Sequence, residues 1–166
     1  MLARMLNRLL SAVGLRIVSS ASGLVNASDE LERRIYSICH EADERGLDAL
    51  TAPQRAVVLA WGSRGIIGNG GFEYFYEGEW RMAELAEAYR ALGFSDAADA
   101  CERSLEVFPE REPPRDTTQR GSFLNTESKA FFKDLEKLVF RIQWDALKLA
   151  IGHYIESRPD EFRKFK

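Results

Sequence analysis

The stretch Asn69-Gly-Gly-Phe-Glu-Tyr-Phe-Tyr76 decides the fold of this chain. Its two adjacent glycines, Gly70 and Gly71, free the backbone from the steric limits that confine other residues, so they predict a tight turn or a close approach. The aromatic side chains behind them are large and suited to burial, and the tyrosines need hydrogen-bond partners. We therefore predict a sharp turn that leads into a short aromatic helix ending at Tyr76.

Helical patterns extend from this turn in both directions. The signature Thr51-Ala-Pro-Gln54 predicts a helix start, with a proline in the first turn. The glycines at positions 62, 65 and 68 are expected to loosen or end that helix. Apolar spacing predicts further helices over residues 28–46, 80–92 and 95–108, and one bent helix or two over 126–157. Without a convincing strand pair, the sequence indicates an all-α, compact single domain of about six to eight helices.

One long proline-rich loop, residues 109–125, interrupts the predicted helices. Its two adjacent prolines are incompatible with a regular helix. A loop of this length is usually functional or held by its own contacts. Asp116 and Arg120 can pair with each other, cap a neighbouring helix or bind a ligand. We favour an internal clamp that pins the loop, with Arg115 beside it.

The N-terminal residues 1–27 differ in composition from the rest. They hold three arginines and no acidic residue, and their apolar residues recur at the spacing of one helix face. We predict a basic amphipathic helix and linker there, followed by a helical domain over 28–166. Residues 1–20 are expected to pack on the domain or on a second copy, as in a homodimer. The alternative is an anionic membrane surface.

Composition excludes several classes of protein. A chain that is 45% hydrophobic and 11% aromatic is globular rather than disordered. The net charge of −3 argues against direct binding of nucleic acid by phosphate neutralisation. Cys39 and Cys101 make no disulfide framework, and they fit buried positions in a protein of the reducing cytoplasm.

Common motifs of hydrolytic and zinc sites are missing from the sequence. Neither His40 nor His153 belongs to a helix-borne metal pair with a complete ligand set, so no metal or cofactor is predicted. The sequence also lacks Gly-x-Ser-x-Gly and His-Glu-x-x-His, which leaves hydrolysis by a nucleophile or zinc unsupported. We therefore predict no catalytic residue.

Acidic residues in the middle of the chain are the candidate partner contacts. Glu73 and Glu77 lie four apart and share a helix face, and Glu84 follows in the next predicted helix. They would steer a basic protein partner, with Tyr74 or Tyr76 as an aromatic anchor if exposed. A solvated helix face is the structural alternative, and interleaved arginines dilute the negative field.

A small-ligand binder or enzyme is a further alternative. Residues 62–71 are rich in glycine, but they lack the Lys-Ser/Thr of a phosphate loop and follow no strand. A weak anion nest with Arg64 is one possibility. Another is a pocket that combines the Gly65–Gly71 turn with Asp116 and Arg120. A purely structural turn is the reading we favour.

Several short motifs, taken together, resemble one known family. They are Asn69-Gly70-Gly71-Phe72, Tyr74-Phe75, Ala91-Leu92-Gly93, Phe108-Pro109, Pro114-Arg115-Asp116 with Arg120, and Tyr154-Ile155. The set resembles the bacterial DNA-mimic-protein family over about residues 50–162. The fold-defining residues taken from it are Asn69, Gly70, Gly71, Phe72, Phe75, Phe108, Pro109, Asp116 and Arg120.

The resemblance implies a helical domain that binds another protein and has no catalytic centre. In the namesake member, an acidic surface imitates DNA phosphates and occupies the DNA site of a transcription regulator. Duplex DNA carries one charge per ~1.7 Å of axis, so a net charge of −3 allows only a local imitation. We predict a non-enzymatic regulator whose partner is a protein such as a DNA-binding regulator. True DNA mimicry is the alternative.

Overall fold

A computed structural model describes residues 27–165, with side chains from Glu30 onward. This part of the chain contains seven α-helices and no strand, which confirms the all-α prediction. The helices are α1 Ala27–Arg45, α2 Ala52–Gly78, α3 Met82–Ala91, α4 Ser95–Ser104, α5 Thr117–Gly121, α6 Thr126–Phe140 and α7 Trp144–Glu156. None of the described helices is long and apolar enough to cross a bilayer. The predicted N-terminal amphipathic helix lies outside the described residues.

Local signals set the ends of the first two helices. Gly46 follows α1 with a positive φ of 83°, as expected of a helix stop. At the start of α2, the Gln54 side chain accepts a hydrogen bond from the Thr51 backbone N–H at 3.2 Å. The Thr51 hydroxyl instead donates to Glu161 at 2.7 Å. The predicted start is thus correct, and its threonine also ties down the C-terminal tail.

Helix α2 is the centre of the fold. It packs against α1, α3, α5, α6 and α7. The expectation that glycines 62, 65 and 68 end this helix is wrong, because it continues through all three. Buried neighbours such as Ile66 and Ile67 hold this segment by packing, and that outweighs the ~1 kcal/mol penalty of each helical glycine. The one non-helical residue is Gly71, with φ 72° and ψ −170°, where the helix bends.

The C-terminal half is more divided than predicted. Helix α4 ends at Ser104 and is followed by two short 3₁₀ turns, Leu105–Val107 and Pro109–Arg111. The loop over 109–125 contains α5, so its extended part is short. The stretch 126–157, predicted as one bent helix or two, forms two helices, α6 and α7, with a break at 141–143.

An aromatic cluster joins α2 to α6 and to the end of α4. The Tyr76 ring lies 4.8 Å from that of Phe108 and 5.9 Å from that of Phe132, between centroids. The Phe72 ring meets Phe132 edge-on at 5.6 Å. The Tyr76 hydroxyl lies 2.7 Å from the Ser104 hydroxyl. Phe72, Phe75 and Tyr76 of the motif therefore lie in the core.

Candidate protein-binding surface

The paired-glycine corner is a tightly built joint between α2 and α6. The Phe72 backbone N–H donates a hydrogen bond of 2.8 Å to the Glu136 carboxylate. A Cβ at Gly71 would lie 2.1 Å from that carboxylate, and a Cβ at Gly70 would lie 2.5 Å from the Cβ of Tyr74. Neither position has room for a side chain. The corner is therefore a structural turn made by close approach, as the sequence predicts.

Arg120 forms the predicted clamp without Asp116. Its side chain is 2% exposed, and it donates hydrogen bonds to the backbone carbonyls of Tyr76, Pro114 (2.5 Å) and Arg115 (3.0 Å). Among the described ion pairs, none joins Arg120 to Asp116. The Asp116 carboxylate instead accepts a hydrogen bond from the Gln119 backbone N–H at 2.8 Å and caps α5.

These carbonyls accept the N–H groups of Arg120, and two nearby carboxylates support its charge. Burial lowers the pKa of its guanidinium, and the negative charges of Glu79 and Asp116 oppose that effect. The Tyr76 carbonyl belongs to the last turn of α2, where the helix dipole favours a cation. Arg120 thus fastens the proline-rich loop to the end of the central helix.

The structure does not gather the small-ligand site proposed from the sequence. Arg120 lines a cavity of about 380 Å³ that neither Asp116 nor any residue of the 65–71 turn lines. Gly65 instead faces the Trp144 ring, and Gly71 faces Glu136. In the described part of the chain, no cluster of histidine, cysteine and acidic residues has the make-up to hold a metal ion.

The predicted acidic contacts are largely balanced by neighbouring cations. Glu73 pairs with Lys129 at 2.8 Å. Glu84 pairs with Arg55 at 2.9 Å and with Arg81 at 3.5 Å. Glu77 is exposed on the aromatic half of α2. These glutamates therefore form a mixed-charge surface rather than a row of uncompensated carboxylates.

The two candidate aromatic anchors differ in exposure. Tyr76 was predicted as an anchor only if exposed. It is fully buried and therefore belongs to the core. Burial raises the pKa of the Tyr76 hydroxyl, which hydrogen-bonds to Ser104. Tyr74 is half-buried and packs against the edge of the core beside Gly70. Of the pair, Tyr74 is thus the one that reaches the surface.

The large hydrophobic side chains that are exposed in residues 30–165 all lie between positions 140 and 149. They are Phe140 at 38%, Trp144 at 44% and Leu149 at 58% exposure. Phe140 ends α6 and Trp144 begins α7, and we call these two residues together with Leu149 of α7 the α6–α7 corner. Sequence reasoning missed all three. The available signal was that they fall off the apolar faces of their helices.

Arg64 and Trp61 of α2 hold this corner in place. The Arg64 guanidinium donates to the backbone carbonyls of Ile142 (2.8 Å) and Phe140 (3.3 Å) and lies 5.3 Å from the Trp144 ring centre. The Trp61 ring meets Trp144 edge-on at 5.1 Å. Arg64 therefore joins two helices and is not the anion-nest residue considered from the sequence.

A family model described as DMP19-like protein matches residues 48–158 of this chain. The match begins in the turn before α2 and runs past the end of α7, so it includes the glycine corner, the Arg120 clamp and the α6–α7 corner. Neither the comparison with curated proteins nor that with solved structures finds a match.

Proposed function

Because the chain belongs to the DMP19-like protein family, we propose that it is a bacterial regulatory protein that binds another protein and does not catalyse a reaction. The α6–α7 corner carries this proposal. Single exposed hydrophobic residues are common on protein surfaces. Here, however, the exposed large ones are confined to ten residues of the described chain, and one of them is a tryptophan backed by an arginine.

The corner has the composition and rigidity of an interface anchor. Tryptophan and arginine are enriched among the residues that dominate binding energy. Trp144 is held by Trp61 and Arg64 before any partner arrives, so little side-chain freedom is left to lose on binding. We infer that Trp144 inserts into an apolar pocket of the partner, with Phe140 at its rim.

The acidic residues supply orientation in this proposal. Glu73, Glu77 and Glu84 would steer a partner with basic surface residues, and Tyr74 would add a half-exposed ring beside them. Steering of this kind changes the association rate more than the affinity. Their compensation by Lys129 and other cations favours docking of a protein over a close imitation of a phosphate array.

True DNA mimicry is the second candidate function. Residues 1–27 contribute three positive charges to a whole-chain charge of −3, so residues 28–166 carry −6. The net negative charge of residues 28–166, together with the family, favours a DNA-binding regulator as partner. Mimicry predicts competition with duplex DNA that weakens steeply as salt rises, whereas docking through the corner predicts a shallow salt dependence.

The proposed setting is the reducing cytoplasm. Both cysteines are free and buried, which suits a compartment that does not form disulfides.

Self-association through the corner or through residues 1–20 would make the chain a homodimer, and light scattering of the purified protein measures that directly.

Affinity capture from lysate of the source cells tests the proposed function. The baits are the wild-type chain, a corner variant (Trp144→Ala with Leu149→Arg) and an acid variant (Glu73→Gln, Glu77→Gln and Glu84→Gln). We expect the wild type and the acid variant to retain the same specific partner, and the corner variant to lose it. If the corner variant retained the partner and the acid variant lost it, the result would contradict binding through the corner and would support mimicry.

A further inference from the structure

The cavity of about 380 Å³ that Arg120 lines is a cleft between the end of α1, the turn from α2 to α3 and the proline-rich loop. Its volume lies within the ~300–1,000 Å³ that is usual for small-molecule sites. The charged side chains that line it are Arg81, Arg115, Arg120, Asp43 and Glu79. What the cleft can bind depends on which of these charges the domain itself already pairs.

The domain pairs three of these charges internally. Glu79 is 3% exposed and accepts hydrogen bonds from the Arg81 side chain at 3.3 Å and from two backbone N–H groups. Arg81 also pairs with Asp48 at 2.9 Å. Arg120 donates to the carbonyls of the clamp. Glu79, Arg81 and Arg120 therefore have little capacity left for a ligand.

Within residues 30–165, the Arg115 guanidinium is held in place but pairs with no carboxylate and donates no hydrogen bond. It lies 4.6 Å from the centre of the Trp80 ring. The Arg115 backbone is also fixed, because its carbonyl accepts a hydrogen bond of 3.0 Å from Arg120. A guanidinium offers its N–H donors as a planar fork that fits a carboxylate. Arg115 is thus a positioned cation with donors to offer a ligand.

Asp43, on the α1 wall of the same cleft, is the matching anion. It is half-buried, and no side chain or backbone donor in the part of the chain that the structure describes hydrogen-bonds to its carboxylate or forms an ion pair with it. Burial raises the pKa of this carboxyl, and the charge of His40 opposes that shift only in part. A carboxylate removed from water is stabilised by a cation or a donor that reaches it.

We propose that this cleft binds a small zwitterion, a molecule with one carboxylate and one ammonium group, as in an amino acid. Arg115 donates charge-assisted hydrogen bonds to the carboxylate, and Asp43 accepts them from the ammonium group. A simple anion leaves Asp43 unpaired and brings a like charge toward it, and a simple cation does the same to Arg115. Both walls are satisfied together by a ligand that carries both charges.

The cleft shares no residue with the α6–α7 corner. Binding of a zwitterion and binding of a protein partner are therefore independent of each other. Failure of one experiment leaves the outcome of the other unaffected.

NMR titration of the full chain at constant ionic strength tests the proposal. The probes are glycine, β-alanine and γ-aminobutyrate, which separate the two charges by increasing lengths. Acetate and methylamine carry one charge each and serve as controls. Trp80 lines the cleft, whereas Trp61 and Trp144 meet at the corner. We expect at least one of the zwitterions to shift the Trp80 indole N–H resonance saturably and to leave those of Trp61 and Trp144 unchanged.

Two variants should weaken this binding by at least about tenfold, because each removes one charged hydrogen-bond partner of the ligand. They are Arg115→Gln and Asp43→Asn. The matched control is Arg103→Gln. Arg103 is also exposed and lies 6.0 Å from the centre of an aromatic ring, that of Phe131, but it is outside the cleft. The control variant should bind as wild type does, and melting temperatures confirm that every variant is folded.

The proposal would be overturned if none of the three zwitterions bound saturably. Equal affinity for acetate and for the best zwitterion would also overturn it, because Asp43 would then contribute nothing. Equal weakening by Arg103→Gln and Arg115→Gln would show general attraction to surface charge and would count against the cleft.

Discussion

The carboxylate of Glu136 occupies the space that a side chain at Gly71 would need. It lies 2.1 Å from the place of a Cβ there and accepts a hydrogen bond of 2.8 Å from the Phe72 N–H. The bend at Gly71 interrupts the ladder of α2 and leaves this N–H without an intrahelical partner. A residue 64 positions away in the sequence therefore caps the aromatic half of α2 and fixes it against α6.

Replacing Gly71 by alanine tests this joint. The left-handed backbone and the occupied space both oppose the substitution, so Gly71→Ala should lower the free energy of unfolding. We expect a loss of about 2–4 kcal/mol, because strained backbone costs ~1–3 kcal/mol and the displaced cap adds to it. The control is Gly121→Ala, which meets nothing within 4 Å and should stay close to wild type. If both variants lowered the free energy of unfolding in urea by the same amount, the result would contradict the tight packing between Gly71 and Glu136.

The Arg120 clamp predicts a ranking of two variants. Arg120→Lys removes the forked guanidinium that reaches several carbonyls at once, and it should destabilise the domain by about 2–4 kcal/mol. Asp116→Ala removes only an exposed helix cap and should cost about 0.5–2 kcal/mol. Thermal unfolding of both variants measures the order. A larger loss for Asp116→Ala would mean that the aspartate carries the clamp.

The two thiols should be inert in the folded protein. Burial raises the pKa of Cys39 to about 12 and also raises that of Cys101, so neither forms the reactive thiolate near neutral pH. A chromogenic disulfide reagent at pH 8 should detect almost no thiol in the native protein and two per chain after denaturation. Rapid reaction of one thiol in the native state would contradict the described burial.

Asp43 gives a pH-dependent prediction. Its pKa is raised by burial, against the opposing charge of His40. A raised carboxyl pKa means that the folded state holds its proton more tightly, so Asp43 lowers stability as pH rises above its unfolded pKa of ~3.9. Asp43→Asn should therefore be more stable than wild type at pH 7, with the gap closing toward pH 4. A gap that widens on acidification would show the opposite shift.

Local signals in the sequence were sufficient for much of the fold. Gly46, Thr51 and Gly93 mark helix ends through backbone freedom and capping, which act within a few residues. The glycine pair, Gly70 and Gly71, likewise predicts the bend in α2. The persistence of α2 through glycines 62, 65 and 68 was not predictable in this way, because packing against other helices decides it.

The candidate binding surface was harder to predict from the sequence. Arg120 reaches the Tyr76 carbonyl 44 residues away, and no local pattern encodes that contact. Tyr76 and Tyr74 look alike in sequence, yet only the fold shows that one is buried and the other half-exposed. Trp144 falls off the apolar face of its helix, but only the fold shows that it lies exposed at the break between α6 and α7.

The most direct test of the account is the Kd of the captured partner for two purified proteins, wild type and Trp144→Ala with Leu149→Arg. Isothermal titration calorimetry at moderate salt provides it, with melting temperatures confirming that both proteins are folded. We predict that the corner variant binds at least tenfold more weakly, a loss of about 1.4 kcal/mol. An unchanged Kd in a folded corner variant would contradict the claim that this protein works through contact at the α6–α7 corner.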